Sequence, residues 1–158
     1  MSSVRTTAAS SACWSDAMAN ASCDLCLREG GEPIVRQDKL RIVRVVDDAF
    51  PAFYRVIWNA HVAELSELAA IDRQCCLDAV VAVERVLREK LRPTKINLAS
   101  LGNMVPHLHW HIIARFDWDS HFPQPIWGTA QRVVAPSARS RLPVALDRLD
   151  AAVRAALE

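Results

Sequence analysis

The sequence predicts an α+β domain: an antiparallel sheet of about five strands with one long helix and a C-terminal helix. Three observations carry this. Short runs rich in β-branched and aromatic residues recur between turn signals. One long stretch has apolar residues at three-to-four spacing. Helices fall between and after the strands rather than alternating with each of them.

The first strand runs Glu32 to Gln37, after the Gly30-Gly31 turn. The second is Leu40 to Val46, dense in Val and Ile. Asp47 to Pro51 is a turn. Tyr54 to Trp58 is the third strand. The long helix extends from about Ala69 to Leu91, with a stripe of Ile71, Cys75, Leu77, Val80, Val81, Glu84, Val86 and Leu87, and Pro93 stops it. Lys95 to Leu101 and Leu108 to Phe116 are the fourth and fifth strands, joined by a short connection framed by Gly102 and Pro106, consistent with a hairpin. Asp117 to Gly128 is a structured loop, and its aromatic, proline-rich stretch His121 to Trp127 reads as a lid over a site, the filling of a dimer groove or a packed loop. Ser140 to Leu157 suits a C-terminal helix.

The 158 residues suit a single domain spanning 21–158, preceded by a Ser- and Ala-rich tail over 1–20. That tail lacks the continuous apolar core of a secretory signal, so the chain reads as cytoplasmic. No apolar run reaches the roughly 18 residues a bilayer span needs. Nineteen Lys and Arg against 18 Asp and Glu give a net charge of +1, which argues against a nucleic-acid-binding surface. Five cysteines, an odd count with an adjacent pair at Cys75 and Cys76, disfavour a disulfide framework.

The chemistry is concentrated at His107-Leu108-His109-Trp110-His111, which holds three of the five histidines. In an extended strand alternate side chains share a face. The imidazoles then point one way, and Leu108, Trp110 and Ile112 point into a core. Three imidazoles could hold a catalytic zinc, or flank one histidine nucleophile with two helpers. Spacing alone does not separate these. Asn97 and Asn103, beside Gly102, are neutral donors suited to phosphate oxygens. Arg115 lies on the histidine side by parity and reads as a solvated edge charge. His121 follows no spacing rule.

Cys23-Asp24-Leu25-Cys26 is a C-x-x-C. It reads as half a zinc site, an inert pair or a redox pair. Zinc needs two more ligands, for which His61 and one histidine of the cluster are available. The redox reading needs a following helix, and Leu27 to Gly31 stops too soon for one.

Taken together, Asn97 to Ile113 resembles the signature of the histidine-triad (HIT) family, His-φ-His-φ-His-φ-φ with φ apolar. Tyr54 to Leu65 is similar to the family's strand ending in a histidine, and Cys23 and Cys26 sit where many members have C-x-x-C. The resemblance implies a HIT-like fold, usually a homodimer, and nucleotide substrates attacked at the α-phosphate. It implies His109 as nucleophile, forming a nucleotidyl-histidine that water resolves, with His111 assisting and His107 completing the triad. It implies that Asn97 and Asn103 contact ribose or phosphate, and that Asp47 or Asp48 meets the ribose hydroxyls. Through the related galactose-1-phosphate uridylyltransferases it further implies a structural zinc on Cys23, Cys26, His61 and His107. Two departures stand out: Asn103 and a short loop where many members have Gln and a longer glycine-rich loop, and Phe53 where many have histidine. A nucleotide-binding module with little catalysis, and a metal site on the three histidines, are the alternative readings.

Overall fold

A computed structural model describes residues 20–158. The expected tail lies almost wholly outside the described residues, as does Cys13. The elements run α1 (Asp24–Leu27), β1 (Glu32–Arg36), β2 (Leu40–Arg44), β3 (Phe53–Trp58), α2 (Ala70–Leu91), β4 (Lys95–Ala99), β5 (His109–Arg115) and α3 (Leu146–Ala155). The strands form one antiparallel sheet in the order β1-β2-β3-β5-β4. The α+β expectation therefore holds.

Alternation along the strands divides the sheet into two faces. Leu40, Ile42, Tyr54, Val56, Trp58, Ile96, Ile112 and Ala114 lie on one face, buried in the main core with α2 and α3. The register pairs Val56 with Trp110 and Tyr54 with Ile112, so the opposite parity of β3 and β5 forms the other face. Phe53, Arg55 and Ile57 thus stand beside His109, His111 and Ile113.

The buried stripe of α2 is Cys76, Ala79, Val80, Val83, Val86, Leu87 and Leu91. The stripe expected from spacing is rotated by part of a turn from this one. Ile71 is 73% exposed, and Cys76 rather than Cys75 is the core cysteine. Apolar spacing here admits two overlapping stripes, and packing against β3, β4 and β5 selects one.

The C-terminal helix is shorter than expected. A 3₁₀ turn covers Ala138–Arg141, and α3 begins only at Leu146. Pro143 lacks an amide proton and disfavours helical backbone at Leu142, so one continuous helix cannot pass through it. Leu149 and Val153 of α3 enter the core. Asp150 fastens α3 to the sheet by accepting from Tyr54 Oη at 2.6 Å and Arg44 Nε at 3.0 Å. No helix among the described residues is long and apolar enough to cross a membrane.

Candidate functional site

His109 and His111 are both in β5, and His107 lies two residues before the strand starts. The chain around His107 is nevertheless pinned in line with β5. The Leu108 amide donates to the Val62 carbonyl at 2.7 Å, and the Trp58 amide donates to the Leu108 carbonyl at 3.1 Å. All three histidines are buried.

Their hydrogen bonds differentiate them. A carbonyl only accepts, so the ring nitrogen facing it carries the proton. His107 donates from Nε2 to the Trp58 carbonyl at 2.6 Å, which leaves its Nδ1 lone pair free. His109 donates from Nδ1 to the His107 carbonyl at 2.6 Å, which leaves its Nε2 lone pair free. The Nδ1 of His111 is buried without a partner. Its ring packs 4.8 Å from His109, 5.4 Å from Phe53 and 5.3 Å from Trp127. The loop 117–128 thus reaches the triad through Trp127. His121 stays outside it, against Phe50 and Ser120.

The free Nδ1 of His107 meets the C-x-x-C. It lies 3.5 Å from both Cys23 Sγ and Cys26 Sγ, and 3.4 Å from His61 Nδ1. Cys26 Sγ is 3.4 Å from His61 Nδ1, and the four ligand atoms all lie within 4.8 Å of one another. Zn–S bonds of about 2.3 Å and Zn–N bonds of about 2.0–2.1 Å make tetrahedral edges of about 3.6 Å for S to N and about 3.3 Å for N to N. The separations around His107 and between Cys26 and His61, 3.4–3.5 Å, are close to those edges. Among the described residues this Cys₂His₂ group is the one that could hold a metal ion, and neither His109 nor His111 belongs to it. Burial raises the Cys26 thiol pKa, and a bound cation reverses that preference. The His107–Trp58 bond is the outer hydrogen bond that fixes a ligating tautomer.

The turn carrying the cysteines is held from below. Arg41 of β2 donates to the carbonyls of Leu25 at 2.7 Å, Arg28 at 3.2 Å and Glu29 at 3.2 Å, and to Asn59 Oδ1 at 3.2 Å. Gly30, at φ +84°, brings this turn down onto the sheet; a Cβ there would meet Leu25 Cδ2 at 2.8 Å and Ile57 Cδ1 at 3.0 Å.

Arg115 is not a solvated edge charge. It is 2% exposed and paired with Asp119, which is equally buried. Its Nε and Nη2 donate to the Asp119 carboxylate at 2.8 and 3.0 Å, Nη1 to Asn97 Oδ1 at 2.7 Å, and Nη2 to the Gln124 carbonyl at 2.8 Å. Asp119 also accepts from the amides of Phe116, His121 and Phe122. Burial pushes its carboxyl up, but Arg115 and these amides outweigh that and hold it below the ordinary value. The pair anchors the loop that carries Trp127. Asp119→Ala leaves a buried guanidinium uncompensated, and should cost about 3–5 kcal/mol in urea unfolding. A loss under about 1 kcal/mol would contradict this role.

The other expected residues come from β4, the β4–β5 connection and the turn after β2. Asn97 lies on the histidine face, opposite Ile113, with its oxygen committed to Arg115. Asn103 is exposed in the connection between β4 and β5. Asp47 Oδ1 caps the amides of Ala49 and Phe50 at 2.8 and 3.0 Å, while Asp48 is exposed.

One residue of this face escaped the sequence reading. Arg55, directly across from His111 in the register, sits beside the histidine pair. The signal was present: a charge in the middle of the apolar run Tyr54 to Trp58, at the parity opposite to the core.

Burial pushes the His111 pKa down to about 3, helped by the charges of His109 and Arg55. Burial also lowers His109, outweighing the bond to the His107 carbonyl, with Arg55 adding to the fall. Both rings are therefore neutral near pH 7. Unfolded, each takes a proton below its ordinary value of 6.5. Between 6.5 and the folded values the unfolded state holds more protons, so stability is full above 6.5 and falls as pH falls. For His111 the slope approaches about 1.4 kcal/mol per pH unit, and His109 adds to it in the same direction. Urea midpoints from pH 7 to 5 should show this, and His111→Phe should make the fall shallower. An unchanged slope in that variant would contradict the burial of a neutral His111.

The chain is similar to histidine-triad proteins in sequence and in fold. The HIT domain model matches residues 31–118, which excludes the C-x-x-C and includes the triad. A histidine triad protein from Bradyrhizobium japonicum is 26% identical, with a TM-score of 0.67 over 84% of this chain and 94% of that one. One from Sinorhizobium meliloti 1021 is 25% identical, with a TM-score of 0.64 over 84% and 93%. A zinc-bound histidine triad family protein from Mycobacterium smegmatis shares the fold at 17% identity, with a TM-score of 0.54 over 86% and 93%. No curated protein matches the chain. The matched family model spans more than half of the chain and takes in the strand with its ordered triad: the chain belongs to the histidine triad (HIT) family.

Proposed function

We propose that this protein hydrolyses or transfers the nucleotidyl group of a nucleotide conjugate, of the dinucleoside polyphosphate or nucleoside phosphoramidate type, at its α-phosphate. The observation that carries this reading is the state of His109. Its Nδ1 proton is fixed on the His107 carbonyl, and its neutral Nε2 lone pair is free. That is an imidazole prepared for nucleophilic attack.

In the first step Nε2 of His109 attacks the α-phosphorus. A P–N bond forms, the bond from phosphorus to the leaving group breaks, and the leaving group departs with the electron pair and takes up a proton. Neutral His111 keeps one ring N–H to donate toward the phosphate or the leaving group. In the second step water attacks phosphorus, the P–N bond breaks, and a nucleoside monophosphate leaves with neutral His109 restored. Another hydroxyl in place of water makes the reaction a transfer. Asn97 keeps its amide N–H groups for the phosphate, with Asn103 across the mouth. Asp48, with Asp47 shaping its turn, faces the ribose hydroxyls.

The same proposal includes a structural zinc on Cys23, Cys26, His61 and His107. All four tetrahedral positions are taken, so this metal stiffens the chain before β5 and leaves attack to His109. A homodimer and a cytoplasmic setting belong to the proposal too, and light scattering measures the former. The test of the reaction is a panel of dinucleoside polyphosphates, phosphoramidates and adenylylated amines. The wild type should release nucleoside monophosphate from at least one. Nucleotide binding without release from any of them would make the protein a binding module instead.

A further inference from the structure

Three arginines point to the histidine face, and they differ in how fully they are satisfied. Arg41 has four acceptors around it. Arg115 has a carboxylate, an amide oxygen and a carbonyl. Arg55 makes one hydrogen bond, from Nη1 to the Gly30 carbonyl at 3.1 Å. Its Nε is buried with no partner. Among the described residues no carboxylate lies within ion-pair distance of it.

A guanidinium does not shed its charge in a protein, and an uncompensated partly buried one is costly. The cost falls in a place where a ligand can repay it. Arg55 is across from His111, and its guanidinium lies over the Phe53 ring, 5.5 Å from the centroid. Gly30 itself sits over Ile57, the residue opposite His109. The guanidinium is thus held on the face that carries His109 and His111.

We infer that Arg55 is a specificity-determining residue that binds a second anionic group of the substrate, a phosphate other than the one under attack. This rests on the nucleotide reading above and narrows it to substrates bearing at least two phosphates. A second phosphate can come from two sources, the polyphosphate chain or a phosphorylated ribose. Either one presents oxygens to the unpartnered Nε and the remaining Nη protons as charge-assisted, forked bonds.

Isothermal titration of three probes tests this: AMP, α,β-methylene ADP, whose bridge is not cleaved, and adenosine 3′,5′-bisphosphate. At least one of the two-phosphate probes should bind the wild type roughly tenfold tighter than AMP, the scale of one good charge-assisted bond. Which one does so identifies the source. In Arg55→Gln that advantage should collapse to about twofold or less. Because it is a ratio within one variant, it is insensitive to partial loss of active protein. Arg55→Lys keeps the charge but loses the fork, and should fall between the two. If neither probe exceeds AMP on the wild type, or if the advantage survives in Arg55→Gln, the assignment is wrong. If the wild type binds no AMP at all, the nucleotide reading fails and takes this inference with it.

Discussion

Cys23→Ser should strip the metal from the protein and lower its stability by about 4 kcal/mol, because loss of a metal site is among the few mechanisms with effects that large. At this chain length that is a fall in Tm on the order of 10 °C. The reasoning is geometric. Four ligand atoms converge within 4.8 Å, from α1, from the segment after β3 and from the segment before β5. A metal there staples three pieces of chain that are remote in sequence. Serine oxygen is a poor substitute for thiolate on zinc, and three ligands with one weak position bind far less tightly. The main core of α2, α3 and the sheet is built without the metal, so the variant should fold and lose rigidity rather than collapse. Elemental analysis of wild type should find about one zinc per chain, and of Cys23→Ser close to none. Full retention of zinc in Cys23→Ser would return the metal to the histidines alone.

His109→Ala should lower turnover by roughly 10⁴-fold or more, the scale for removing a nucleophile. It should keep its zinc and unfold near the wild-type temperature, because His109 donates only to the His107 carbonyl and lies outside the ligand group. The two variants should therefore have opposite signatures. One keeps metal and loses chemistry. The other loses metal and stability, and retains part of its chemistry through an intact His109. If His109→Ala also lost its metal, the division of the triad into a ligand and a nucleophile would be wrong.

Much of this arrangement is legible in the sequence, for identifiable reasons. The period-two alternation of 107–111 placed the imidazoles opposite Leu108 and Ile112, and the packed sheet keeps that parity. The C-x-x-C needed two further ligands, and chain geometry brings to it the same His61 and His107 that the resemblance implied. What was not legible depended on contacts across the sequence. The stripe of α2 was rotated because Ile71 and Cys75 match helical spacing as well as Cys76 and Ala79 do. Only the sheet beneath decides between them. Arg115 looked solvated because its partner Asp119 comes from the turn after the strand, where strand parity says nothing. A charge in an apolar run is ordinarily an outward-facing residue, so the sequence does not single out Arg55. Here the outward face is the site.

The central claim is that β5 and the segment leading into it carry a metal ligand at His107 and a nucleophile at His109. The most direct test is rapid quench of the wild-type protein with an active conjugate at alkaline pH, which preserves phosphorus–nitrogen bonds, followed by mass spectrometry of the peptide spanning 107–111. The account predicts a nucleoside monophosphate adduct on His109, absent from His109→Ala. An adduct on His111 or His121, or turnover with no adduct at any time point, would contradict it.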